Sequence, residues 1–217
     1  MLYDYKNAIQ YSFDFYSLIN SYKNNSPLQG QNNYLNSWER ILLSLSKSDN
    51  NPIYFKSETA YQHIIHCLDS QVFKLHFDIS SIANSISKKD LPIQFLSSDL
   101  FGTDDSPIRY TYEPYNQYHL QSSKPVILAP ITLDTYIKFI VIDGNHRVSA
   151  KKENVHTDIP VIMYNPTKAH DFVSPINWAF YLFFIETYNF GTQIILGNDF
   201  SDLLPLSYIH HTFSDIV

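Results

Sequence analysis

The run Tyr136, Ile137, Lys138, Phe139, Ile140, Val141, Ile142 places the strongest constraint on the fold. Aromatic and β-branched residues in such density favour a buried strand, and the strand must stop at Asp143-Gly144, where glycine turns the backbone without a Cβ cost. Asn145, His146 and Arg147 come next, and residues 146–153 read as a short helix. The free amides of that helix's first turn face whatever His146 and Arg147 face, which predicts a cradle for an anion, most naturally a phosphate.

Each residue type suits that chemistry. Arg147 offers a planar, permanently charged fork for bidentate phosphate contact, and the helix N-terminus adds partial positive charge in the same place. His146 can donate to a phosphate oxygen or move a proton near neutral pH. Asp143 can order a Mg²⁺ ion or accept a hydroxyl proton. Gly144 and Asn145 bring backbone to the ligand. Ser149 either contacts phosphate or is the small residue that lets helix and sheet approach closely.

Val141-Ile142-Asp143-Gly144-Asn145-His146-Arg147-Val148-Ser149-Ala150, followed by Ile159-Pro160-Val161-Ile162, resembles the core of the ParB/sulfiredoxin superfamily. Upstream, Lys124-Pro125-Val126-Ile127-Leu128-Ala129-Pro130 is similar to the strand that precedes the hairpin in those proteins. The resemblance covers residues 108–165. It implies a small mixed sheet that binds ATP, ADP or CTP, with phosphates on the turn and helix N-terminus. Sulfiredoxins carry a catalytic cysteine immediately before the His-Arg pair; here that position is Asn145, which argues against thiol chemistry. ParB partition proteins have a basic surface and a DNA-reading helix pair, which this chain lacks. Its D-G-x-H-R form is closer to free-serine kinases and to small ParB-like proteins described as nucleases or ATPases. The kinase members place a glutamate base upstream of the hairpin, and the matching position here is Glu113.

Composition limits the function classes. With 217 residues, 44% of them hydrophobic, the chain can bury a real core. Its 21 acidic against 15 basic residues, a formal net charge of −6, disfavour non-specific binding to nucleic acid. A single cysteine, Cys67, excludes an internal disulfide framework, and residues 1–6 lack a basic and apolar secretory pattern, so the expected compartment is the cytoplasm. The most apolar stretch, residues 178–185, is shorter than a bilayer span of about 20 residues and reads as a buried helix.

Periodicity predicts helices over residues 1–23 (Ile9, Phe13, Tyr16, Ile19) and 34–45 (Trp38, Ile41, Leu42, Leu45). It also predicts mostly helix over 58–87, with one stripe through Tyr61, Ile64, Ile65, Leu68 and Val72 and another through Ile79, Ile82, Ala83 and Ile86. Residues 91–118 read as a long irregular connection. Strands at 125–129, 136–142 and 159–164 and the 146–153 helix form the core, and residues 171–190 and 194–211 read as mainly helical. The expectation is an α+β protein: a helical region 1–90, a ParB/sulfiredoxin-like core 91–170, and a helical segment 171–217 packing on it.

Other constellations are weaker. His63 and His66 would share one helix face and could hold a metal with Cys67 or His76, but no complete ligand pattern is present. His210-His211 reads as exposed. Tyr110, Tyr112, Tyr115 and Tyr118 lack the interleaved basic residues of a nucleic-acid platform, although one of them could stack on a nucleotide base. The leading expectation is a nucleotide-binding enzyme for phosphotransfer or nucleotide hydrolysis, with a small-molecule or protein acceptor. A non-catalytic nucleotide sensor and a ParB-like nuclease are the alternatives.

Overall fold

The computed structural model describes residues 2–4, 13–48, 54–56, 60–103, 106–133, 136–154 and 158–216. In chain order the strands are β1 (Leu2–Asp4), β2 (Tyr54–Lys56), β3 (Ala60–His66), β4 (Val72–Asp78), β5 (Gln94–Ser97), β6 (Phe101–Gly102), β7 (Ile108–Arg109), β8 (Val126–Leu133), β9 (Tyr136–Asp143) and β10 (Asp158–Met163). The helices are α1 (Phe15–Asn25), α2 (Asn32–Ser48), α3 (Ile79–Lys89), α4 (Gln117–Gln121), α5 (Asn145–Asn154), α6 (Pro175–Ile195), α7 (Phe200–Leu203) and α8 (Tyr208–His211). The protein is α+β and divides into two compact units, residues 79–166 and the remainder, 1–78 with 167–217.

The 79–166 unit is built on a six-stranded mixed sheet in the order β5-β10-β8-β9-β7-β6. β8 and β9 form an antiparallel hairpin, while β10 runs parallel to β8 and β7 parallel to β9. Val126, Ile127, Leu128, Ala129 and Ile131 are all buried, so β8 is covered on both faces, as its continuous apolar run demands. One face gathers Val126, Leu128, Val141, Ile159 and Val161 with Phe101, Ile108 and Tyr110, and α5 adds Val148 to that cluster. The β8–β9 register passes from Leu128 opposite Val141 to Ile127 opposite Asp143, so Ile142 is skipped. This bulge bends the strand immediately before the carboxylate that begins the turn.

Residues 91–118, expected to be irregular, instead supply β5, β6 and β7, joined through a 3-10 turn at Ser98–Leu100. Two-residue strands have no period to read; sheet pairing alone creates them. Lys152 on α5 holds that turn, donating from Nζ to the Ser98 carbonyl at 3.2 Å and the Phe101 carbonyl at 2.5 Å.

In the other unit α1 begins at Phe15 because Asp14 caps it, accepting from the Ser17 amide at 3.1 Å. The helix expected over 1–23 therefore starts later; residues 5–12, including Ile9, lie outside the described residues, and Leu2–Asp4 pairs with Tyr54–Lys56 as a strand. Helix α6 starts with Pro175 at its first position and carries the apolar 178–185 run into the interior. Phe180 of α6 stacks on Phe73 with ring centroids 3.6 Å apart, and Trp38 of α2 meets Phe183 and Phe213 edge-on at 5.6 Å each. Among the described residues no helix is long and apolar enough to cross a membrane.

Of the region 58–87 expected to be mostly helical, residues 60–78 form a β-hairpin instead. β3 and β4 pair antiparallel from Ala60 opposite Asp78 to His66 opposite Val72. Phe73, Leu75 and Phe77 alternate into the core at period two, and Ser70 turns the chain at φ 66°. On a strand His63 and His66 point to opposite faces, and His63 is buried while His66 is exposed, so they do not share a metal site. The second stripe, Ile79 to Ile86, is helical as its spacing predicts, and α3 ends at Asp90 in the left-handed region, φ 47°.

Candidate functional site

Asp143 is the last residue of β9, Gly144 turns the chain at φ +101°, and α5 begins at Asn145. The first intrahelical bond runs from the Val148 amide to the Gly144 carbonyl at 3.0 Å, so the amides of Asn145, His146 and Arg147 precede the helix's own ladder. These are the donors the sequence placed at the anion cradle.

Arg147 folds back over the turn. Its Nη2 donates to Asp143 Oδ2 at 3.0 Å and to the Pro125 carbonyl at 3.2 Å. The guanidinium side chain is 15% exposed and the carboxylate 41%, so the pair is half-buried. Asp143 and Arg147, assigned separate tasks by the sequence reading, here neutralise each other. The Arg147 Nε is buried and has no hydrogen-bond partner among the described residues. An orphaned buried donor costs about 1–3 kcal/mol, which a ligand oxygen reaching it would relieve.

The segment after β7 runs along one face of α5. Asn145 bridges the helix start to it, accepting from the Thr111 amide at 2.9 Å while its Nδ2 donates to the Val141 carbonyl at 3.3 Å. Ser149, fully buried, accepts from the Glu113 amide at 3.0 Å. Tyr115 donates to Glu153 at 2.6 Å and accepts from Asn154 at 2.9 Å. Positions 145, 149 and 153 are spaced by four and share a helix face. Asn145, expected to meet the ligand, and Ser149, expected either to contact phosphate or to pack as a small residue, thus hold this segment through their side chains. The same bonds bring Glu113 beside α5; its carboxylate makes no hydrogen bond or ion pair among the described residues. The polar repeat at 145, 149 and 153 was the available sequence signal.

His146 is exposed at the head of α5, and its Nδ1 lies 2.5 Å from the Pro114 carbonyl oxygen. The ring of His119, on α4, stacks on it at 4.8 Å with planes 14° apart. Sequence reasoning missed His119, whose short helix is marked only by the Asn116 cap, which accepts from the His119 amide at 3.3 Å. Burial lowers the His119 pKa, and the positive charges of His146 and Arg147 lower it further. Two imidazoles and a guanidinium therefore converge at the α5 N-terminus, with Asp143 paired to the guanidinium. Tyr118 is exposed and lies edge-on to His119 at 5.8 Å, while Tyr115 is tied to Glu153.

Among the described residues, no group of three His, Cys, Asp or Glu side chains gathers to hold a metal ion. Asp143 is a single carboxylate already neutralised by Arg147, so these residues do not fit a resident divalent cation.

In the other unit Glu186, directly after the apolar 178–185 run, is a buried carboxylate. It accepts from Tyr34 Oη at 2.8 Å, Trp38 Nε1 at 3.0 Å, Ser207 Oγ at 2.7 Å and the Tyr208 amide at 2.5 Å. Burial raises its pKa, although all four donors oppose the rise. With its acceptor capacity used internally, it is a structural tie.

Compared with protein-family models, with curated proteins and with solved structures, the chain matches none.

Proposed function

We propose that the Gly144–Arg147 turn binds the phosphates of a nucleotide, ATP, ADP or CTP, and that the protein is a cytoplasmic enzyme of phosphotransfer or nucleotide hydrolysis. The observation that carries this reading is the convergence of the stacked His119–His146 pair and Arg147 on the first turn of α5. Groups that repel one another when charged gain from an anion among them, and the amides of Asn145, His146 and Arg147 favour the same sign. The sequence resemblance of Val141 to Ala150 points to the same ligand class.

In this reading the phosphate competes with Asp143 for the guanidinium. Arg147 exchanges a carboxylate for a phosphoryl oxygen, and Asp143 is released toward the ligand. Any Mg²⁺ arrives with the nucleotide, whose phosphates supply most of its oxygen ligands. His146, the exposed imidazole, is the group that moves a proton. Glu113 is the other candidate base, beside α5 with its carboxylate uncommitted among the described residues.

The test is thermal shift and phosphate release with ATP, ADP, CTP and GTP plus Mg²⁺, comparing the parent with Arg147→Ala and His146→Ala. Arg147→Ala is expected to weaken binding about 10- to 100-fold, the loss of one charge-assisted contact. His146→Ala is expected to reduce phosphate release more than binding. Binding without turnover in the parent would assign a nucleotide sensor instead, and no stabilisation by any nucleotide would overturn the proposal. The nuclease alternative requires Mg²⁺-dependent cleavage of single-stranded DNA that is lost in Asp143→Ala.

A further inference from the structure

We propose that His119 and His146 act as a two-imidazole clamp of opposite tautomers on one phosphoryl group. His119 donates to a phosphoryl oxygen from Nε2–H, and His146 offers an unprotonated Nε2 to the attacking water. This deepens the nucleotide reading and rests on it.

The hydrogen bonds fix the tautomers. The Pro114 carbonyl can only accept, so the His146 Nδ1 2.5 Å away carries a proton, and neutral His146 has its lone pair at Nε2. The Asn116 backbone amide can only donate, and it lies 3.2 Å from the His119 Nδ1, so that nitrogen is unprotonated and the proton of His119 is at Nε2. Both Nδ1 atoms thus address the same short segment, Pro114 to Asn116. The ring planes are 14° apart, and neither Nε2 has a hydrogen-bond partner among the described residues. One Nε2 donor and one Nε2 acceptor thus belong to rings whose centroids are 4.8 Å apart, with Arg147 next to His146 in the first turn of α5. A phosphoryl oxygen fits the first and a water hydrogen the second. A neutral His119 also holds a phosphate without adding a second full positive charge beside that of Arg147.

The step balances. The water oxygen forms a bond to the terminal phosphorus, and the bridging P–O bond breaks with its electron pair leaving on the nucleoside diphosphate. The water proton passes to His146 Nε2, giving an imidazolium that later returns the proton to solvent. His119 keeps its proton throughout and strengthens its hydrogen bond as charge grows on the phosphoryl oxygens.

The experiment is ¹⁵N–¹H correlation of the imidazole nitrogens in the whole protein, free and with ATP or inorganic phosphate added, together with kinetics of three variants. The free protein is expected to show the Nε2–H tautomer for His119 and the Nδ1–H tautomer for His146, and the reverse assignment would overturn the clamp. Added ATP is expected to shift both Nε2 resonances. His119→Gln, which places an amide donor near the Nε2 position, is expected to hold ATP within about threefold of the parent, and His119→Ala to weaken it about tenfold. His146→Asn, which keeps a donor for Pro114, is expected to bind ATP nearly normally and to lose about 100-fold in phosphate release. ATP stabilisation that leaves both Nε2 resonances unmoved would sink the clamp while sparing the nucleotide site. Resonances that respond to inorganic phosphate but to no nucleotide would support the clamp and sink the nucleotide reading.

Discussion

A side chain at position 144 would need φ near +101° and room for a Cβ 2.6 Å from both the Arg147 guanidinium and Val126 Cγ1. Gly144→Ala should therefore cost about 1–3 kcal/mol, read as a lowered urea midpoint. It should also displace Arg147 from Asp143 and weaken any phosphate binding more than the stability loss alone explains. In the other unit, Glu186 offers a sharper contrast between two substitutions. Glu186→Ala strands the Tyr34, Trp38 and Ser207 donors without their acceptor and should cost about 3–5 kcal/mol by denaturant titration. Glu186→Gln, which keeps the oxygen these three share, should lose clearly less.

Along α5 the element-scale question is what holds the 111–115 segment in place. Ser149→Ala removes the acceptor of the Glu113 amide and should speed hydrogen exchange there. The Thr111 amide, bonded to Asn145, should be unaffected, and equal acceleration at both would show that the segment moves as one piece. The same element shows how far the sequence could be read. The β9 run, the Asp143-Gly144 turn and the small-residue helix after it were legible because a strand period changes abruptly to a helical one across a glycine. The Arg147–Asp143 pair was not, because spacing by four shows that two charges can meet and not whether a ligand outcompetes their contact. His119 was illegible for another reason: it reaches the site across 27 residues of chain, and only packing brings the rings together. The β3–β4 hairpin was misread because Tyr61, Ile64, Ile65, Leu68 and Val72 fall at helical spacing, although Ile64 and Leu68 are exposed on the hairpin. The decisive signal was the alternation of Phe73, Leu75 and Phe77 just beyond.

For the whole molecule, two buried groups give opposing pH dependences. His76 is 1% exposed; burial is the largest cause that lowers its pKa from 6.5 to about 4. Because the folded form resists protonation, the stability from His76 is present above pH 6.5 and lost as pH falls through about 4, on the order of 3 kcal/mol in all. Glu186 has its pKa raised from 4.5, so its contribution is present below pH 4.5 and lost as pH rises through its folded value. On acidification from pH 6.5 to 4, His76 therefore lowers the thermal midpoint while Glu186 raises it, and His76→Gln should raise the midpoint at pH 4 relative to that at pH 6.5; an unchanged difference would rule out a His76 contribution. One last consequence follows from the chain leaving one unit after residue 78 and re-entering it at 167. During synthesis the six-stranded sheet leaves the ribosome whole, while Trp38 and Phe73 still await α6, their aromatic partner. Residues 1–78 are therefore exposed to chaperones for as long as residues 167–217 are missing, and their final collapse is timed by the synthesis of that second stretch.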